Sequence, residues 1–178
     1  MAVRRKGHSR THQKGSRIVP SHNGTSDSCV ETRQAKVSDA TRVAKLSTEL
    51  GYPVSPKRMA VLIKEVGRRP NQRLFVAVLS GNVVGWLEIF RPLSVLNAGK
   101  TEVGALVVDT EYRRCGVGTA LMKKAHQWAD ENGSAFTYLR SNIARKDAHE
   151  FYKRSGYSIF KTQYVLRRIS AKRKLKGL

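Results

Sequence analysis

Residues 111–126, EYRRCGVGTALMKKAH, set two arginines and two glycines between an apolar run that reads as a strand and another that reads as a helix. A strand-to-helix turn of this kind limits chain direction and chemistry together. The first amides of a helix lack intrahelical partners and carry the positive end of its dipole. Glycines let a bulky anion approach that backbone, and flanking arginines add charge-assisted hydrogen bonds. The turn therefore suits a phosphate. A nucleotide-hydrolysing P-loop is excluded, because it needs Gly-Lys-Ser/Thr and here Gly118 is followed by Thr119-Ala120. A dinucleotide fingerprint wants a third glycine where Leu121 stands and an acid after the next strand, where Arg140 stands. An arginine there suits a 2′-phosphate, which keeps that reading open.

Periodicity supplies the elements around the turn. Order is expected from about Val30, with a short strand first. Ser38 is the expected N-cap of a helix to about Leu50, with Ala40, Val43, Ala44 and Leu46 as its apolar stripe. Ser55-Pro56 opens a second helix with Met59, Leu62, Ile63 and Val66 inward. RLFVAVL and VVGWLEIF flank Ser80-Gly81-Asn82 and read as a hairpin. TEVGALVV is a further strand, followed by a helix over Gly116–Asn132 with Gly133 past its end. FTYLR reads as a strand, DAHEFYKRS as a helix closed by Gly156, and SIFKT and YVLRRI as two final strands. The order predicts a mixed α/β domain over residues 30–170, between a basic tail at 1–29 and another at 171–178.

RRCGVG matches the Arg/Gln-x-x-Gly-x-Gly/Ala signature of the GNAT superfamily of N-acetyltransferases, with Arg113, Gly116 and Gly118 in the defining places. Upstream, ALVVDTEY resembles the family's central strand and its exit. Downstream, SNIARKDAHEFYKRSGY resembles the second family motif through Asn142, Ala148, Phe151, Tyr152, Gly156 and Tyr157. The resemblance runs over about residues 30–169 in element order, with its specific motifs in 101–157. It implies a single-domain fold with a mixed, twisted sheet splayed at the fourth strand and flanked by helices. It also implies acetyl-CoA as the acetyl donor, its pantetheine arm pairing with the strand edge at Leu106, Val107 and Val108. The pyrophosphate would lie on Arg113, Arg114, Cys115, Gly116, Val117, Gly118 and Thr119.

Acyl transfer to an amine needs a neutral nucleophile, a polarised carbonyl and a protonated leaving thiolate. Tyr152 sits where the family places its general acid, and Asn142 matches a contact to the cofactor arm. For the base, Glu102 opens the central strand; Glu88, between Trp86 and Phe90 at alternate positions, is the reserve, and water is the third option. His149 lies three residues before Tyr152 and reads as structural. Cys115 reads as a bystander in the phosphate turn. No His/Cys cluster has metal-ligand spacing, so no metal is expected.

At 178 residues the chain suits one domain with one core. No run has the length needed to cross a membrane as a helix, and no apolar signal-peptide core is visible. Cys29 and Cys115 make no disulfide framework, and a cytoplasmic protein is expected. The net charge of +21 is uneven: residues 1–34 hold seven Lys/Arg against two acids, and 161–178 hold seven against none. Residues 1–28 have too few large apolar side chains to repay their ordering entropy. Their Arg- and Ser-containing, acid-poor composition is also that of a transit peptide, though without a clear apolar face. Such ends attract anions: CoA-like cofactors, acidic proteins or nucleic acid. The chain reads as an N-acetyltransferase of an unidentified amine, small or peptidic. The alternative is a basic nucleic-acid-binding protein that retains the same fold, and a homodimer stays open.

Overall fold

The computed structural model describes residues 30–95 and 99–168. Both expected tails, 1–29 and 171–178, lie outside the described residues. Five strands form one sheet in the order β1-β2-β3-β4-β5. They are β1 (Glu31–Gln34), β2 (Gln72–Leu79), β3 (Asn82–Phe90), β4 (Lys100–Val108) and β5 (Phe136–Leu139). The first four pair antiparallel, and β5 lies parallel to β4. A hairpin joins β2 to β3 through Ser80 and Gly81, at φ 48° and 78°, the double positive-φ turn whose twist matches the flanking strands.

Four α-helices flank the sheet: α1 (Ala40–Glu49), α2 (Pro56–Gly67), α3 (Val117–Glu131) and α4 (Lys146–Arg154). Strand alternation sorts the core into two layers. Leu74, Val76 and Trp86 point toward α1 and α2 and pack with Val43, Leu46, Met59 and Ile63. Phe75, Leu87 and Ile89 point the other way and pack with Leu121, Met122, Ala125 and Trp128 of α3. Among the described residues no helix is long and apolar enough to cross a membrane.

Two local expectations are corrected. Ser38 does not cap α1. It sits inside a short 3-10 turn, Val37–Asp39, and Asp39 occupies the N-cap. The Asp39 side chain makes no cap bond to α1; its carboxylate accepts from Arg33 Nη1 and Nη2 at 2.7 and 2.9 Å and from the Lys36 amide at 2.7 Å, which anchors the 3-10 turn that leads into the helix. Ser55 does cap α2, accepting from the Arg58 amide at 3.2 Å with Pro56 in the first turn.

SIFKT and the described part of YVLRRI form no strand, and residues 158–168 are exposed throughout. Their apolar residues come as Ile159-Phe160 and Tyr164-Val165-Leu166, in blocks rather than in alternation. Neither block presents a single apolar face to the sheet.

Candidate active site

β4 and β5 are paired only from Lys100↔Phe136 to Val103↔Leu139. Beyond that point β4 stays on β3 as far as Val108, so its β5-facing edge is open over residues 104–108. A bulge marks the parting: Ile89 opposes Val103 and Glu88 opposes Ala105, with Gly104 as the extra residue. The open edge is a row of backbone donors and acceptors facing a wedge. Leu106, Val107 and Val108 lie along it.

The strand is followed by Asp109, which is buried and ion-paired with Arg42 of α1. Its carboxylate also accepts from the Glu111 amide at 3.1 Å, starting the 3-10 turn Thr110–Tyr112. The chain then reverses through Arg114 (φ 63°) and Gly116 (φ 76°). Gly116 is the N-cap of α3, and a side chain there would be strained by the left-handed backbone although the space is open. The Ala120 amide donates to the Gly116 carbonyl at 2.9 Å, so the amides of Val117, Gly118 and Thr119 have no intrahelical partner. Arg113, Arg114, Cys115 and Thr119 are exposed around them. Cys115 Sγ lies 3.6 Å from the Arg113 carbonyl.

Gly118 has a second role. A Cβ placed on it would meet the Phe151 ring at 3.1 Å and Val108 Cγ2 at 3.7 Å. The start of α3, the end of β4 and α4 thus meet at one point. From there a groove of about 580 Å³ runs between α3 and α4, lined by Thr119, Lys123, His126, Phe151 and Arg154 among others.

Tyr152 lies next to Phe151 on α4, packed against the α3-side core. It makes edge-on ring contacts with Phe151 at 5.3 Å and Tyr157 at 6.1 Å. Burial pushes its phenol above the ordinary value, against a smaller opposing pull from Arg145. Tyr157 is fixed by His126 Nε2 at 2.9 Å and Thr137 Oγ1 at 3.1 Å, which ties α4 to α3 and β5. Asn142 forms a local turn: its Oδ1 accepts from the Ala144 amide at 2.9 Å. Its carbonyl lies 3.1 Å from His149 Nε2, in keeping with a structural histidine.

On the opposite sheet face the two acids differ. Glu102 is no solvated strand-end carboxylate. It is buried, and both oxygens are engaged: Tyr138 donates to Oε2 at 2.8 Å, and Arg140 donates to Oε1 through Nε at 2.9 Å and Nη2 at 2.6 Å. Glu88 commits one oxygen, Oε1, to Gln72 at 2.6 Å. Its Oε2 lies 3.1 Å from the place of a Cβ on Gly104, beside the bulge. Sequence reasoning missed Tyr138 and Gln72, and it read Arg140 only against a 2′-phosphate, not as the partner of Glu102. The signal for Tyr138 and Arg140 was the alternation in FTYLR, but reading it needed the parallel register that sets Tyr138 opposite Glu102.

Residues 40–157 match the model of the acetyltransferase (GNAT) family. The chain belongs to the GNAT family. It is 35% identical over 133 residues to the aminoalkylphosphonate N-acetyltransferase of Salmonella typhimurium, covering 71% of this chain and 84% of that one. An uncharacterised N-acetyltransferase of Methanocaldococcus jannaschii is 31% identical over 97 residues, 51% of this chain and 41% of that protein. Among solved structures, an aminoglycoside N-acetyltransferase in complex with CoA superposes with a TM-score of 0.70 at 14% identity, over 85% of this chain and 99% of that one. The mixed five-stranded sheet with four helices is the GNAT fold, and this GNAT member is an N-acetyltransferase.

Proposed function

We propose that this GNAT protein transfers the acetyl group of acetyl-CoA to a primary amine by direct attack within one ternary complex. The observation that carries the reading is the open β4 edge at 104–108, which leads into the turn with three unpartnered amides. An amide-bearing arm satisfies such an edge, and a pyrophosphate satisfies such a turn. The chain's residues therefore fit acetyl-CoA, which supplies the activated acetyl thioester when bound. Leu106, Val107 and Val108 hold its arm. Residues 113–119 hold its phosphates, and the exposed Nδ2 of Asn142 is available to the arm.

The acceptor amine must lose a proton before its nitrogen can attack. Glu88 is the better base, because its Oε2 lies beside the bulge while Glu102 has both oxygens occupied. As the nitrogen–carbon bond forms and the carbon–sulfur bond breaks, the departing sulfur needs a proton. Tyr152 supplies it. A phenol is protonated at neutral pH, and burial favours that form further.

The relatives' named acceptors are chemically opposite: an aminoalkylphosphonate is anionic, an aminoglycoside polycationic. A chain with a net charge of +21 favours the former kind. The direct test is thiol release from acetyl-CoA against a panel of primary amines, with calorimetry of acetyl-CoA beside it. Reversing Arg113 and Arg114 to Glu should weaken acetyl-CoA binding by at least about tenfold, given the strength of charge-assisted bonds. Unchanged affinity in a folded double variant rejects the assignment of the turn.

A further inference from the structure

Arg140 is exposed yet held in place. It follows β5 directly, at the point where β4 and β5 part, and its side chain is 70% exposed against 6% for its partner Glu102. Nε and Nη2 both point at Glu102 Oε1. The other oxygen of that carboxylate accepts from the Tyr138 hydroxyl, so the buried acid is braced from two sides. A guanidinium carries five N–H groups, and Glu102 takes one edge of the fork. The Nη1 side has no protein partner among the described residues and faces outward.

A buried carboxylate needs a counter-charge, and a lysine reaching in would supply one. An arginine supplies the counter-charge and also keeps a second planar edge, the shape that grips a carboxylate or phosphonate through two parallel bonds. Its place on the sheet matters as well. Arg140 directly follows the last β5 residue paired with β4, and Glu88 lies on β3 across the bulge, so the two border it from opposite flanks. That placement sets a guanidinium and a carboxylate on either side of β4, complementary to an acceptor with an anion at one end and an amine at the other.

We propose that Arg140 is the contact for an anionic group of the acceptor, with Glu102 and Tyr138 as the positioning residues that hold its guanidinium. The acceptor class is then a short amine bearing a phosphonate or carboxylate. The inference rests on the acetyl-transfer reading and assigns Glu102 a role other than that of base.

The test uses the full chain, acetyl-CoA and two acceptors that differ in the anion alone, 3-aminopropylphosphonate and propylamine. The quantity read is the ratio of their kcat/KM values within each variant, which a partly misfolded sample does not distort. In the parent the ratio should be at least about tenfold in favour of the phosphonate, since a charged hydrogen-bonded contact is worth that much. Arg140→Ala should bring it close to one, chiefly through the KM of the phosphonate. Arg140→Lys, which keeps the charge without the fork, should restore only part. Tyr138→Phe should lower the ratio partially, because it loosens the brace and leaves the guanidinium itself intact. No preference in the parent, or the parent's ratio retained in Arg140→Ala, overturns the proposal. Transfer to neither amine counts against the acetyl-transfer reading instead. Calorimetry of propylphosphonate with parent and Arg140→Ala then decides the anion site alone: weaker binding in the variant supports it, and equal binding overturns it.

Discussion

At the scale of single residues, Tyr152 carries the sharpest expectation. CoA thiolate is a fairly stable leaving group near neutral pH, so acid help is worth less than it would be for an alkoxide. A positioned acid typically contributes on the order of 10²- to 10⁴-fold. Tyr152→Phe should therefore lower kcat by at least about tenfold, a floor set below that scale because the leaving group is good, with little change in acetyl-CoA affinity. The ring contacts with Phe151 and Tyr157 survive the change, so the hydroxyl alone is removed. A Phe variant that turns over like the parent across the pH range, with chemistry rate-limiting, would make Tyr152 structural. Asp39 gives a pH-dependent test. Burial would raise its pKa, but the Arg33 hydrogen bonds and the Lys36 amide outweigh burial and hold it below the ordinary 3.8. A depressed acid stabilises the fold above its unfolded pKa and loses that contribution as pH falls through the folded value. Asp39→Asn should thus cost about 1–3 kcal/mol at neutral pH, as a lost charged hydrogen bond. Denaturant titrations should show the gap to the parent closing below about pH 3.8.

At the scale of elements, the legible parts were those whose cause lies within a few residues. Ser55-Pro56, Ser80-Gly81 and the Arg113–Gly118 turn each announce their geometry through backbone chemistry, and each forms where expected. Ser38 misled because a 3-10 turn precedes the helix, and its Asp39 is anchored by Arg33, six residues earlier and on another element. The partners of Glu102 were hidden for the same reason, since Tyr138 and Arg140 lie 36 and 38 positions away. Residues 158–168 showed β-forming composition without a period-two face, and composition does not place a strand. The left-handed backbone at Gly116 gives the turn its own test. Gly116→Ala should cost about 1 kcal/mol in stability, because the αL conformation penalises a Cβ. Acetyl-CoA affinity should fall with it if the turn holds the phosphates. Calorimetry and thermal denaturation on one sample separate the two effects.

At the scale of the whole molecule, more than half of the net positive charge lies at the chain ends, and the proposed site of acyl transfer lies on the sheet between them. Residues 1–28 lie outside the described residues, and their scarcity of large apolar side chains gives the expectation to be tested. Deleting them should leave kcat within about twofold, by the same argument. A large loss at equal acetyl-CoA affinity would give the tail a part in acceptor binding. The nucleic-acid reading rests on charge alone, and binding by charge alone falls steeply with added salt. The contact of Gly118 with Phe151 has a wider consequence. The turn at the head of α3 serves as a bearing for α4, with the thickness of one missing side chain setting the clearance. A methyl group at position 118 would require the Phe151 ring to give by a few tenths of an ångström, and Tyr152 packs edge-on against that ring. Damage there should appear in donor binding and in the chemical step together, as one mechanical fault with two symptoms.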